Sequence, residues 1–397
     1  MSGVVHLLRL VAGAIGRAVA AMLSLALLIG TGYGWMVHRT LTDRVVTSDV
    51  ISSRTEAPEP EQPFTALLVG LDSRTDASGN PLPPQLLAEL RAGDDEGQLH
   101  TDTIILLHVP AGPNARAVAI SIPRDSFVTL ADGSGRHKIN SAYGRATDDA
   151  KATLEAQGVT GPELDRRSRD AGRRALVATV EKFTQLPIDH YAEINLAGFV
   201  EMTEAIGGVP VCLKRPEHEV RSGVDLPAGP QTVSGADALA FVRQRHGLEG
   251  GDLDRIARQQ AFLAGLASRM LSTGTLSDPG AVNRLVDSVT RNVVLDRGWN
   301  LDRLITQFGR MSGGDIRFVT IPTATPALDT PVDGVAVQVD TNDVRTFVRD
   351  TVVVTDTAAA AATASTETPT PNGPAPSTAP TMPPSTGISA AGVTCVD

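Results

Sequence analysis

The sequence predicts an α/β fold: a three-layer α/β/α sandwich with a mixed central sheet, set behind a single N-terminal transmembrane helix. Three observations carry that expectation. Residues 64–69, 104–109 and 118–122 are short, nearly unbroken apolar runs, as strands buried on both faces should be. Helical patterns separate these runs from the strand-like stretches that follow them, which argues for helices layered on a sheet. Residues 18–37, AVAAMLSLALLIGTGYGWMV, carry no charge. At about 1.5 Å per residue, a helix of that length spans roughly 30 Å, the thickness of a hydrocarbon core.

Taken in order, the chain reads as five parts. Arg9 and Arg17 precede the apolar span, Arg39, Asp43 and Arg44 follow it, and Tyr33 and Trp35 suit the outer interface. A cleaved signal peptide would be shorter and would end in small residues, whereas Gly-Trp-Met-Val-His ends this span, so a retained anchor is expected. Residues 1–17 are then cytoplasmic, 18–37 the transmembrane anchor and 38–63 an extracytoplasmic linker ending in a Pro/acid spacer. One folded domain covers 64–352. Residues 353–397 are rich in Ala, Thr and Pro and are expected to be a disordered tail. The expected location is the cell membrane, single-pass, with the domain outside the cytoplasm. No ATP is available there, so an enzyme in that place needs a substrate that carries its own energy.

Within the domain, further strands are expected at 190–194, 209–213 and 316–321. A helix over about 162–185 places Leu176, Val177, Val180 and Phe183 on one face. Another follows Asn195, an N-cap, through Phe199, Met202 and Ile206 to Gly207-Gly208. A third begins at Ser234, and a fourth covers 252–270. Residues 76–100 are polar and broken by Pro81, Pro83 and Pro84, as an insertion between the first two strands would be. Residues 85–91 have room for two helical turns.

Composition narrows the function. The formal charge of −10 weighs against nonspecific nucleic-acid binding, which needs a net basic face. Two cysteines exclude a four-cysteine zinc site and a disulfide-dense scaffold. No CxxC, HExxH, GxxxxGK[ST] or GxSxG pattern occurs. Only four of the 35 basic residues are lysines, so any single Arg first reflects a high-GC composition.

The candidate chemistry sits at strand ends. Asp72 and Arg74 follow the first strand, where open α/β sheets place their ligands. Asp102 lies just before the strand 104–109. If that strand runs antiparallel to the first, the two carboxylates meet, and two such groups repel unless a cation or proton lies between them. Hard oxygen ligands suit Mg²⁺ or Mn²⁺ on a phosphate; turn or cap roles are the plainer alternative. Arg124 and Asp125 emerge after Pro123, and Lys138 stands alone as a compact point charge among arginines. The densest basic cluster holds Arg243, Arg245, Arg255, Arg258 and Gln259, with Asp252 three residues before Arg255. It suits a phosphate or pyrophosphate. A solvated charged face accounts for Arg258 and Asp254. His108, alone in a buried strand, reads as a satisfied core residue.

Seven blocks in order, LLVGLDSR, TDTIILLHV, SIPRDS, HKINSAYG, EINLAGFVEMTEAIGGVPV, LPAGPQTVSGADALAFVRQRH and GDLDRIARQQ, resemble the LytR-CpsA-Psr family of bacterial cell-wall ligases, in its actinobacterial branch. The resemblance covers about 64–270 well and the rest of the domain loosely. It implies a membrane-anchored phosphotransferase that moves a glycopolymer from a polyprenyl-pyrophosphate carrier to peptidoglycan through a phosphodiester. By resemblance, Asp72 and Asp102 match the metal-binding acids. Arg74, Arg124, Lys138, Arg243, Arg245, Arg255 and Gln259 match the pyrophosphate-holding residues. Asp252 either orients an Arg or activates the acceptor hydroxyl. A second basic residue a few positions after SIPRD, expected of the family, is missing: Phe127, Val128 and Thr129 stand there. A polyprenyl-pyrophosphate phosphatase with water as acceptor, or a non-catalytic polyprenyl-lipid-binding scaffold, would use the same residues. Outside the cytoplasm Cys212 and Cys395 have the conditions to pair, which would pin the end of the tail beside the strand 209–213.

Overall fold

A computed structural model describes residues 22, 24–25, 27–51, 62–90, 99–112, 116–271, 278–299, 316–364, 388–389 and 394–397. The chain divides into two units, 1–45 and 46–397. In the first, the described residues between 22 and 44 are helical and expose Leu27, Leu28, Ile29 and Trp35. The whole of the expected cytoplasmic segment and the start of the expected span lie outside the described residues. Among those described, no helix is long and apolar enough to cross a membrane.

The strands of the second unit, in chain order, begin with β1 Val46–Ser48, β2 Phe64–Leu71, β3 Thr101–Val109, β4 Ala117–Ser121, β5 Phe127–Thr129, β6 Arg136–Lys138 and β7 His190–Asn195. They continue with β8 Val209–Leu213, β9 Glu217–Glu219, β10 Val224–Leu226, β11 Gly229–Val233, β12 Val293–Asp296 and β13 Ile316–Thr320. The last are β14 Thr325–Thr330, β15 Gly334–Gln338, β16 Ile388–Ser389 and β17 Cys395–Val396. The helices are α1 Pro84–Glu89, α2 Ser141–Ala156, α3 Gly161–Thr184, α4 Leu196–Ala205, α5 Gly235–Arg243, α6 Asp252–Leu271, α7 Pro279–Asn292 and α8 Thr341–Ala364.

The central sheet is mixed, in the order β1-β12-β7-β2-β3-β4-β13-β16. β2 runs parallel to β7 and antiparallel to β3; β4 is antiparallel to β3 and parallel to β13. Alternation along these strands builds two cores. Leu67, Val69, Leu71, Ile104, Leu106, Val118 and Ile120 face one side, against Tyr143, Leu176, Val180, Phe183, Val344 and Val348 of α2, α3 and α8. Phe64, Ala66, Ile105, Leu107, Ala117 and Ala119 face the other, against Ala264 of α6. Burial on both faces is why these strands read as unbroken apolar runs. A third core gathers α4, α5, α6, β8, β10, β11 and Val396.

The structure corrects three expectations. The stretch 38–63 is not all linker, because β1 pairs with β12 inside it. Three residues are too few for any period to show. The folded unit does not end at 352. α8 runs to Ala364, held by Val344 and Val348 in the core and by Asp356, which binds His108 Nε2 at 3.0 Å. The alanine run 358–362 is a good helix former once one end is anchored, which offsets the poorer threonines beside it. Nor is the end of the tail free. β17 pairs in parallel with β8, and Cys212 and Cys395 are disulfide-bonded with Cα atoms 4.3 Å apart. Residues 365–387 and 390–393 of the expected tail lie outside the described residues. α2, α7 and the hairpins β5–β6 and β14–β15 were not expected from the sequence.

His108 does behave as a satisfied core residue: its Nδ1 lies 3.1 Å from Thr65 Oγ1.

Candidate functional site

Asp72 leaves the end of β2 with its amide donating to the His100 carbonyl at 3.3 Å. Across the ladder, Gly70 faces Thr103 and Leu71 faces Thr101, so Asp102 is the extra residue of a bulge. Asp102 therefore lies inside β3 rather than ahead of it. A bulge re-aims the side chain it carries. Here it brings Asp102 into the field of Asp72. Gly144 of α2 permits the approach to β3, since a Cβ there would stand 2.6 Å from the Leu99 carbonyl oxygen.

Arg124 follows Pro123, which ends β4 by removing a ladder donor. Its turn is fixed by backbone bonds from Asn140 N to the Arg124 carbonyl, at 3.1 Å, and from Val337 N to the Asp125 carbonyl, at 2.8 Å. Arg124 Nη1 meets Asp102 directly, and its Nε lies 3.7 Å from Asp125. Lys138, at the end of β6, reaches the other Asp125 oxygen at 3.5 Å.

α6 docks on the same end of the sheet, where Gln260 Nε2 donates to Ser121 Oγ at 3.0 Å and to Thr320 Oγ1 at 2.9 Å. That places the first turn of α6 over the cluster, with Asp252 and the buried Arg255 in an ion pair. Arg243, the last residue of α5, lies 3.5 Å from Asp72 and donates to the Leu90 carbonyl at 3.3 Å.

The expected site residues thus fall into two groups. Asp72, Asp102, Arg124, Asp252, Arg255 and Arg243 form one ionic cluster, and Lys138 joins it through Asp125. Arg74 acts on Asp72 by its charge. Arg245 is exposed and reaches Asp252 and Arg255 only by its field. The amide of Gln259 is spent on the Val242 carbonyl at 3.4 Å, joining α6 to the end of α5. Asp125 belongs to the cluster as the bridge between Arg124 and Lys138. In the sequence it is only the neighbour of Arg124 after Pro123, and the β5–β6 fold-back supplies the bridge. Arg258 contradicts its expected place on a solvated face: its side chain is fully buried.

The cluster splits its acids. Burial raises the Asp72 carboxyl above its ordinary value, and Asp102 adds to this against Arg243 and Arg74. Burial likewise raises Asp252, with Asp125 adding and Arg255 opposing. Asp102 goes the other way. Burial alone would raise it, but Arg124, Arg255 and Arg243 together hold it below the usual carboxylate range. The arginines are also split. Burial works against the charge of Arg124, yet Asp102, Asp125 and Asp252 raise its proton affinity; burial and the like charge of Arg124 lower that of Arg255.

Polar capacity is left over. Asp72 Oδ1, both Asp252 oxygens and the Nε atoms of Arg124 and Arg255 are buried without a hydrogen bond. Buried polar atoms normally find partners, so this concentration makes the sheet end the candidate site for a charged ligand. Among the described residues no group of three or more His, Cys, Asp or Glu side chains gathers as a metal cage. The pair Asp72 and Asp102, with its free oxygen and mutual repulsion, fits a hard cation that takes its remaining ligands from elsewhere.

Residues 37–351 match the LytR_cpsA_psr family. The chain is 46% identical over 293 residues to the cell wall biosynthesis protein LcpA of Corynebacterium glutamicum, covering 72% of this chain and 55% of that protein. It is 30% identical over 234 residues to the polyisoprenyl-teichoic acid–peptidoglycan teichoic acid transferase TagU of Oceanobacillus iheyensis, covering 58% of this chain and 64% of that one. The match thus spans little more than half the length of LcpA. In fold the chain is similar to B. subtilis TagV, at a TM-score of 0.53 and 24% identity over 75% of this chain and 98% of that one. It is also similar to TagT bound to LI-WTA, at a TM-score of 0.52 and 20% identity over 78% of this chain and 98% of that one.

Proposed function

The chain belongs to the LytR_cpsA_psr family, and on that premise we propose that it transfers a glycopolymer from a polyprenyl-pyrophosphate carrier to peptidoglycan in cell-wall assembly, forming a phosphodiester. One observation carries the reading: buried carboxylate and guanidinium groups converge at one sheet end with unspent hydrogen-bonding capacity. The apolar side chains exposed on the helical residues between 22 and 44 support anchoring in the membrane that holds such a carrier.

The chemistry follows from the charges. The acceptor hydroxyl oxygen bonds to the phosphorus next to the sugar. The bond from that phosphorus to the bridging oxygen breaks, and polyprenyl phosphate leaves with the electron pair. Arg74, Arg124, Arg243, Arg245 and Arg255 hold the pyrophosphate and neutralise the charge that builds up as it divides, with Lys138 as a point charge and Gln259 fixing the α5–α6 joint. Asp252 receives the hydroxyl proton: Oδ1 faces Arg255 in an ion pair while Oδ2 has no hydrogen-bond partner, and its raised proton affinity makes it a better base than an ordinary Asp. Asp72 and Asp102 would hold Mg²⁺ or Mn²⁺, which when bound would offset phosphate charge.

The test uses the full chain in detergent with a short-chain polyprenyl pyrophosphate. Mg²⁺-dependent release of polyprenyl phosphate is expected, abolished by EDTA, by Arg243→Ala and by Asp72→Ala, and accelerated by a muropeptide acceptor. Release that ignores the acceptor would replace the ligase with a phosphatase. Tight lipid binding without any turnover would replace it with a scaffold.

A further inference from the structure

Arg258 lies three residues beyond Arg255 on α6, and its side chain is fully buried. A guanidinium in that position must be satisfied from all sides. Its Nη1 donates to Gln244 Oε1 at 2.5 Å, its Nε donates to the main-chain oxygen of Asp397 at 2.5 Å, and its Nη2 faces Glu217 at 3.4 Å. Gln244 stands between the two arginines of the proposed pyrophosphate site, Arg243 and Arg245. Its own Nε2 donates to Glu217 at 2.9 Å and to the His246 carbonyl at 3.1 Å.

The segment needs that hold. α5 ends at Arg243, and Gln244 turns extended, with φ −58° and ψ 131°. Gly247, Gly250 and Gly251 follow, while residues 245–247 are exposed. Gln244 is buried and anchors the run before the next buried residue, Leu248. The far end of the clamp is held just as firmly. Cys395 is bonded to Cys212, Lys214 N donates to the Val396 carbonyl at 2.8 Å, and Lys214 Nζ donates to Asp397 Oδ2 at 2.7 Å.

We propose that Arg258 is a positioning residue for the 243–245 segment, and that the disulfide-held residues 395–397 supply the acceptor that keeps it in place. Residues 395–397, nearly 140 positions beyond Arg258 in sequence, thereby set where Arg243 and Arg245 meet the ligand. The proposal rests on the pyrophosphate reading of those two arginines. It does not make Arg258 a ligand: Nε and Nη1 donate to protein acceptors, and Nη2, which makes no hydrogen bond, faces the Glu217 carboxylate.

The experiment compares the full chain with Arg258→Met, Arg258→Lys, Gln244→Leu and Cys212→Ser/Cys395→Ser. Hydrogen exchange is followed in peptides covering 243–251 and 190–195, beside kcat and KM for Mg²⁺-dependent polyprenyl-pyrophosphate turnover. Exchange over 243–251 is expected to rise about tenfold in Arg258→Met and in the double Cys variant, with 190–195 unchanged. A displacement of about an ångström in positioned groups costs up to roughly 10²-fold in rate, so kcat should fall by about ten- to a hundredfold. Gln244→Leu keeps the disulfide and the Arg258–Asp397 contact but removes the acceptor of Arg258 Nη1, so it should lose kcat and lower the melting temperature, with the rise in exchange still confined to 243–251. Arg258→Lys should fail to rescue, because one ammonium cannot span both acceptors. Unchanged exchange over 243–251, an equal rise everywhere, or raised exchange with wild-type kcat would each overturn the proposal. If the wild type itself shows no turnover while exchange over 243–251 rises as expected, the clamp stands and the pyrophosphate reading falls.

Discussion

Two ionic clusters in this molecule use the same residue types to opposite ends. Beneath the sheet, Arg173 Nε and Nη2 bind both oxygens of Glu193, at 3.0 and 2.8 Å, and Nη1 binds Asp170 at 2.8 Å. Tyr191 donates to Glu193 at 2.7 Å. Every polar side-chain atom of Arg173, Tyr191 and Glu193 has a partner, and Arg173 holds the Glu193 carboxyl below its ordinary value against the effect of burial. At the sheet end, Asp72, Asp252, Arg124 and Arg255 keep buried atoms that make no hydrogen bond. A completed network fixes a fold; an uncompleted one reserves its capacity for a ligand and costs stability until the ligand arrives.

The widest test of that difference sets one substitution in each cluster against the other. Arg124→Ala should lower kcat about 10³-fold, as removal of one charge-neutralising group in phosphoryl transfer does, measured as polyprenyl phosphate released. Glu193→Leu should leave kcat per folded molecule unchanged. It should instead lower unfolding stability by about 3–5 kcal/mol in a denaturant titration, because it strands a buried guanidinium. A Glu193 variant that loses kcat without losing stability would erase the distinction.

Much of this was legible in the residues. Strands buried on both faces announce themselves as apolar runs, so β2, β3 and β4 and Asp72 at the end of β2 were readable, whereas the bulge that carries Asp102 inside β3 was not. Asn195 was readable as an N-cap because its side chain does accept from Gly198 N, at 2.7 Å. What stayed hidden depends on partners far off in sequence. Arg258 looks solvated because its charge says so. Its burial is set by Gln244, 14 positions away, and by Asp397, 139 positions away. Asp125 joins the site only through the β5–β6 hairpin, whose strands of three residues are too short to show a pattern. The order of 353–364 escaped composition because a few anchoring contacts decide it.

A smaller effect should appear if one member of the uncompleted cluster is neutralised. The folded state raises Asp252 above its unfolded value, so at neutral pH its ionised form costs stability. Asp252→Asn should therefore shed that penalty at pH 7, raising the melting temperature in so far as the amide still accepts from Arg255, while losing activity. The sign fixes the pH dependence. The wild-type penalty is present above the folded value and fades as pH falls toward the unfolded value, so the two melting temperatures should converge below about pH 4. Glu193 has the opposite sign. Its contribution is present above about pH 4.5 and is lost as pH falls through its depressed folded value. An Asp252→Asn advantage that grows on acidification would contradict the Asp252 assignment.

The smallest effect sharpens the comparison most, because it removes distance as the explanation. Arg167 and Glu163 pair at 3.3 Å on the surface of α3, only half an ångström longer than the 2.8 Å contact between Arg173 and Glu193. Their side chains are 49% and 59% exposed, against 4% for each member of the buried pair. Water solvates the surface charges whether or not they meet, so an exposed i,i+4 pair contributes about 0.3–0.5 kcal/mol. Glu163→Ala should shift the denaturant midpoint barely beyond error, and added salt should remove what shift remains. A loss near that of Glu193→Leu would mean that contact distance, rather than the completeness of partners around a desolvated charge, sets the energy of ion pairs in this fold.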